Sequence, residues 1–189
     1  MNILLGSKSP RRSELLRKLD VSFDLVDIRC DEQFPAEMIP DHVARFLSLK
    51  KSNTYGILEK GDVLITADTT VIVDQKVLNK PKSESEAREM LLQISGKSHQ
   101  VITGVTIRSV TKTHTFSEST SVTVDTINPS YIDYYIHQHQ PFDKAGSYGI
   151  QDWLGLSHIS KIEGCYYNVM GLPTNLLFKR LKNEFGYAS

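Results

Sequence analysis

The chain has 189 residues, 40% of them hydrophobic and 23% charged, which suits one soluble globular domain with room for two lobes. Lys+Arg and Asp+Glu both number 22, so no overall field favours nucleic acid or a membrane surface, and any anion site has to be local. Cys30 and Cys165 form no zinc spacing and no run approaches the about 18 apolar residues of a membrane span, so a reduced, cytoplasmic chain is expected, with a single disulfide as the alternative.

Ile3-Leu4-Leu5-Gly6 reads as a strand that turns into a helix with Ser9 as N-cap and Pro10 in the first helical position. Leu15, Leu16 and Leu19 continue as its buried stripe. Arg11 and Arg12 in the first turn oppose the helix dipole, so a compensating anion is the functional reading. A capped helix with solvated arginines is the plain alternative. Residues 23–28 alternate apolar and polar side chains and read as a strand. After a turn-rich stretch, residues 43–55 read as a helix with Val43, Phe46, Leu47 and Leu49 inward, and with Lys50 and Lys51 on one solvated face.

Residues 62–67 form a short buried strand that ends on Asp68-Thr69-Thr70, and 71–73 with 77–78 flank Asp74-Gln75-Lys76 as a hairpin. Ser83 and Glu86 have capping-box spacing, ahead of an apolar face of Ala87, Met90, Leu91 and Ile94 that stops at Gly96. Two strands follow, over 101–110 and about 113–125, then a helix opened by Asn128-Pro129 with Ile132, Tyr135 and Ile136 on one side. Residues 141–155 read as a glycine-rich functional loop, followed by a strand near 158–162 and a closing helix over 173–185. The order predicts an α/β class with a mixed, twisted sheet and flanking helices.

Asp68, at the predicted end of a buried strand, can serve as a general base, hold a divalent cation, or simply cap its own turn. In the loop Asp143-Lys144-Ala145-Gly146-Ser147-Tyr148-Gly149-Ile150-Gln151, glycines permit close approach and Gln151 offers both donor and acceptor to a base edge. The alternative is a surface connection with Tyr148 packed down on the core. His137 and His139 do not share a helix face, and no GxxxxGK[ST], GxGxxG or GxSxG motif occurs.

Taken in order, Ser7-x-Ser9-Pro10-Arg11-Arg12, Lys50, Asp68-Thr69, Lys80-Pro81, Thr103-Gly104, the 143–151 loop and Gly171-Leu172-Pro173 resemble the Maf family over nearly the whole chain, taken as a single domain over 1–189. The resemblance implies a fold related to the inosine triphosphatases and hydrolysis of nucleoside triphosphates to monophosphate and pyrophosphate. It also implies Mg²⁺ or Mn²⁺ and a homodimer, with no nucleic-acid or membrane partner. Asp68-Thr69-Thr70-Val71 and Gly149-Ile150-Gln151 are similar to the branch acting on dTTP and UTP, in which Arg11, Thr69 and Gln151 match specificity positions. Within the resemblance, Ser7, Ser9, Arg11, Arg12, Lys50 and Lys80 bind the triphosphate. Asp68 is the proton acceptor or a metal ligand, with Glu32 as a second metal candidate. The alternatives are the same reaction on 7-methyl-GTP or another modified nucleotide, and a non-catalytic nucleotide-binding regulator of cell division. Asp152-Trp153 follow Gln151 where the family has glycine, and Lys51 stands where a small residue is common.

Overall fold

The computed structural model describes residues 1–188. Its strands are β1 (Asn2–Gly6), β2 (Asp24–Leu25), β3 (Asp62–Val73), β4 (Lys76–Leu78), β5 (Ser98–Arg108), β6 (Thr113–Val124) and β7 (Ile159–Glu163). Its helices are α1 (Pro10–Lys18), α2 (Pro40–Thr54), α3 (Glu84–Ile94), α4 (Pro129–His139), α5 (Trp153–His158), α6 (Tyr166–Val169) and α7 (Thr174–Phe185). The hydrogen-bonded strand order is β2-β1-β3-β5-β6-β7, with β4 paired to β3. Parallel β1–β2 and β1–β3 pairs and antiparallel β3–β4 and β6–β7 pairs make the sheet mixed, as the alternation of elements predicts. The chain forms two compact units, one of Met1–Asp68, Thr103–Glu118 and the segment from Gly171 onward, the other of Thr69–Ile102 and Ser119–Met170. Among the described residues no helix is long and apolar enough to cross a membrane, and Cys30 and Cys165 are free thiols.

In the first unit, β1 runs parallel to β3 from Asn2 opposite Asp62 to Gly6 opposite Thr66. Residues 23–28, expected as a full strand, contribute only Asp24 and Leu25 to the ladder. Both are exposed at the end of the strand order, and a short edge strand offers little template for unwanted pairing. β3 does not stop before Asp68 as its Asp-Thr-Thr suggests; it runs on unbroken to Val73. Its β-branched residues other than Thr69 are buried, and the Asp68 carboxylate finds a cation and therefore does not need a turn.

Helix α2 lies unusually close to the strands. A Cβ on Gly104 of β5 would sit 2.3 Å from the Ala44 carbonyl oxygen, so only glycine admits this approach. The face turned inward carries Val43, Ala44, Leu47, Ser48 and Ser52, while Phe46 and Leu49, expected inside, are half-buried. Small residues at 44, 48 and 52 follow from the closeness. Ser48 is tied to the strands: Thr66 Oγ1 donates to its carbonyl at 2.8 Å, and its Oγ lies 3.1 Å from Thr106 Oγ1.

The second unit has its own apolar core, drawn from β3, β5, β6, α3 and α4 and including Val71, Leu91, Val101, Ile132, Tyr135 and Leu154. Asp74 and Gln75 both have positive φ, the conformation of a two-residue hairpin turn between β3 and β4. Ser83 caps α3 by accepting from the Glu86 N–H, and Asn128 caps α4 by accepting from the Ser130 N–H. The predicted 141–155 loop is more ordered than expected: two 3₁₀ turns lead into α5. Tyr148 takes the packed-down alternative. It is buried, and its hydroxyl lies 2.7 Å from Nε2 of the buried His99.

Two outcomes follow from this packing. Gly104→Ala should lower unfolding stability by about 1–3 kcal/mol through overpacking against the α2 backbone, read as a shift in the urea midpoint. Burial holds the His99 imidazole at a pKa of about 4, below its ordinary 6.5. The unfolded chain therefore takes up this proton first, and stability contributed by neutral His99 is lost as pH falls from about 6.5 to about 4. Relative to His99→Gln, the wild type should lose up to about 3 kcal/mol between neutral pH and about pH 4; parallel pH profiles would refute the assignment.

Candidate active site

The pairing of β1 with β3 ends at Gly6 opposite Thr66, and the chain then turns through Ser7–Ser9 into α1. Ser7 Oγ organises this turn by accepting from the Ser9 N–H at 3.2 Å and from Arg12 Nη1 at 3.2 Å. Ser9 occupies the N-cap position, but its hydroxyl does not make the capping bond; Pro10 in the first turn sets the helix start instead.

Arg12 is more structural than its sequence position suggests. Its Nε donates to the Gly171 carbonyl at 2.8 Å and its Nη1 to the Ala67 carbonyl at 2.9 Å, so it ties the turn to β3 and to the entry of α7. Burial lowers its proton affinity, opposed by the nearby Asp68 charge and reinforced by Arg11. Arg11 is half-buried beside it on the first turn of α1.

Two residues beyond the last β1–β3 pair stands Asp68, only 8% exposed. Its Oδ1 accepts from Lys51 Nζ at 2.6 Å, and the same Nζ lies 2.8 Å from Glu32 Oε1. Burial raises the Asp68 carboxyl above the ordinary carboxylate range. Lys51 opposes this through its charge and its hydrogen bond, Arg12 opposes it through charge, and Glu32 adds to it. The result is a dehydrated carboxylate kept in place by cations, beside a second, half-exposed carboxylate.

The lysine at this centre is Lys51, not Lys50. Lys50 instead donates to the Gln33 carbonyl at 2.9 Å and lies 3.6 Å from Asp31 Oδ2. The physical reason is the rotation of α2: position 51 follows Ala44, Leu47 and Ser48 on the inward stripe, whereas position 50 follows Phe46 on the outer one. The sequence held the signal in the serines at 48 and 52, which mark the tightly packed face. The helical pattern puts Lys50 and Lys51 together on a solvated face, and it is the family resemblance that singles out Lys50.

The structure thus gathers Ser7, Ser9, Arg11, Arg12, Glu32, Lys51 and Asp68 in the first unit. Thr69, Lys80 and Gln151 belong to the second. Thr69 is half-buried and next in β3 after Asp68, Lys80 is exposed just after β4, and Gln151 is half-buried in a turn before α5. In chemical terms the first-unit cluster can accept a proton at Asp68 and offers cations and helix N–H donors to a polyanion.

Comparison with known proteins gives this cluster a context. The family profile described as Maf-like protein matches residues 2–184. A dTTP/UTP pyrophosphatase of Porphyromonas gingivalis is 47% identical over 190 residues, covering 97% of this chain and 94% of that protein. Proteins of the same name from Bacteroides thetaiotaomicron and Bacillus mycoides are 42% and 43% identical, each over 95% of this chain and 94% of their own length. Among solved structures, the Ham1 protein of Staphylococcus aureus aligns with a TM-score of 0.46 and 10% identity over 66% of this chain and 72% of its own. That likeness carries no weight here, and the mixed α/β assignment rests on the strand order itself. A profile spanning nearly every residue, with full-length relatives above 40% identity, places this chain in the Maf family.

Proposed function

We propose that the chain hydrolyses dTTP and UTP to the nucleoside monophosphate and pyrophosphate. The observation that carries this reading is the buried Asp68 carboxylate held at 2.6 Å by Lys51, in a chain whose relatives are named dTTP/UTP pyrophosphatase. Water attacks the α-phosphorus, its proton passes to Asp68, and the bond to the bridging oxygen breaks to release pyrophosphate. A carboxylate whose proton affinity is raised by dehydration is a stronger base than an exposed one, and Lys51 opposes that rise through its charge and hydrogen bond.

Arg11, Ser9 and the N–H groups at the start of α1 bind phosphate oxygens, and Lys80 adds a further cation, as the family resemblance implies. Arg12 contributes charge while its hydrogen bonds hold the turn. Thr69 and Gln151 read the O2, N3–H and O4 edge of uracil or thymine, to which a hydroxyl and an amide are complementary.

Mg²⁺ or Mn²⁺ fits the donor set. Asp68 and Glu32 converge on one lysine, and one or two carboxylates completed by phosphate oxygens and water is how magnesium binds at phosphate-transfer sites. When bound, the cation neutralises charge on the phosphate oxygens. The family resemblance adds a homodimer in the cytoplasm to this reading.

Pyrophosphate release across dTTP, UTP, CTP, ATP, GTP and 7-methyl-GTP tests the proposal. Turnover confined largely to dTTP and UTP is expected, and preference for 7-methyl-GTP would overturn the specificity. Asp68→Asn should lower kcat by roughly 10²–10⁴-fold while dTTP binding, followed by calorimetry, persists. A variant with near-normal turnover would remove Asp68 from the chemistry.

The two lysines should separate cleanly. Lys51→Met should lower kcat/KM by on the order of 10²-fold, because it strips the cation from a buried carboxylate. Lys50→Met, which loses only contacts to Gln33 and Asp31, should stay within about twofold of wild type. Equal losses in the two variants would refute the assignment.

A further inference from the structure

We propose that Asp152 is a positioning residue for Gln151, holding the turn that presents its amide and so setting the KM for the pyrimidine nucleotide. The inference rests on the reading of Gln151 as a base-contacting residue given above. Gln151 is the third residue of a four-residue turn, Gly149 to Asp152, closed by the Asp152 N–H donating to the Gly149 carbonyl at 3.1 Å. Ile150, just before it, is buried and anchors one side of the turn. On the other side, Leu156 N–H donates to the Asp152 carbonyl at 3.0 Å and so begins α5.

The ends of the turn are tied a second time through one hydroxyl. The Gly149 N–H donates to Tyr135 Oη at 3.2 Å, and Tyr135 Oη donates to Asp152 Oδ2 at 3.2 Å. Asp152 Oδ2 also lies 3.4 Å from Lys144 Nζ, which donates to Asp143 Oδ1 at 2.8 Å. The carboxylate sits directly over Gly149: a Cβ there would come within 2.5 Å of Asp152 Oδ2, so glycine at 149 and aspartate at 152 are one arrangement.

The hydroxyl has little freedom of its own. Tyr135 is fully buried on α4, with its ring stacked against His139 at 5.0 Å and Trp153 at 6.5 Å. Burial, reinforced by the charge of Asp152, raises its phenol well above the ordinary value, so it remains a donor throughout the working pH range. None of these bonds uses the Gln151 side chain. They hold the backbone on both sides of it, and the amide is presented without ordering the turn at the moment of binding. Asp152 and Trp153 both fasten the turn to α4, the first through the Tyr135 hydroxyl and the second through its ring contact with Tyr134.

Steady-state pyrophosphate release from dTTP tests this with Asp152→Ala, Asp152→Asn, Tyr135→Phe, Gln151→Ala and the Asp152→Ala/Gln151→Ala double variant. Asp152→Ala and Tyr135→Phe should each raise KM about tenfold with kcat within about twofold. Asp152→Asn, which keeps an acceptor for the Tyr135 hydroxyl, should restore KM to near wild type. Gln151→Ala should raise KM, and adding Asp152→Ala to it should change nothing further. An Asp152→Ala rise of equal size with or without Gln151 would overturn the proposal, as would an unchanged KM in Asp152→Ala when Gln151→Ala does raise it. An unchanged KM in Gln151→Ala would overturn the base-reading role of Gln151 together with this proposal. If Asp152→Ala does not fold, Tyr135→Phe, which preserves the ring packing, is read by the same criteria in both backgrounds.

Discussion

The close approach of α2 to the strands, made possible by Gly104 beneath Ala44, is the constraint on which the first unit depends. It dictates small side chains at 44, 48 and 52, and these fix the rotation of the helix about its axis. Ser48 locks that rotation further, because its carbonyl accepts from Thr66 and its hydroxyl meets Thr106, which in turn lies 3.0 Å from Thr115 Oγ1. Buried hydroxyls are costly unless paired, and those of Ser48, Thr66 and Thr106 each meet another element. With the helix so oriented, Lys51 meets Asp68.

That meeting explains two features which otherwise look opposed. β3 carries an aspartate in the middle of a buried stretch, where an isolated charge would be prohibitive, yet the strand continues unbroken to Val73. Lys51 and Arg12 supply the opposite charge, and Arg12 is itself pinned by carbonyls of Ala67 and Gly171. The pairing is incomplete by design of the fold, since burial still raises the Asp68 carboxyl and Glu32 shares the same lysine.

In the second unit the same economy operates through a tyrosine. Tyr135 fills the core with its ring and organises a turn with its hydroxyl, so a core residue of α4 determines the geometry of a surface loop. Tyr148 and His99 do likewise a few residues earlier. The glycine-rich stretch is therefore ordered, because Tyr148 and Ile150 are buried and its bends are closed by backbone hydrogen bonds.

Much was legible in the residues alone. The alternation of elements, the caps at Ser83 and Asn128, the hairpin at Asp74-Gln75 and the apolar faces of α3 and α4 are local, and local sequence determines them. The set of motifs from Ser7 to Pro173 likewise pointed to the family. What tertiary structure decided is which side chains meet. Hydrophobic pattern placed Phe46 and Leu49 inside, but backbone approach at Gly104 outranked their apolar area and brought Lys51 rather than Lys50 to the site. An Asp-Thr-Thr sequence signals a turn only while the aspartate lacks a cation, and that cation comes from a helix 17 residues away in sequence. The meaning of Asp152 was equally hidden, because its partner Tyr135 lies on another helix, and only the folded chain brings the carboxylate, the hydroxyl and the Gly149 backbone together.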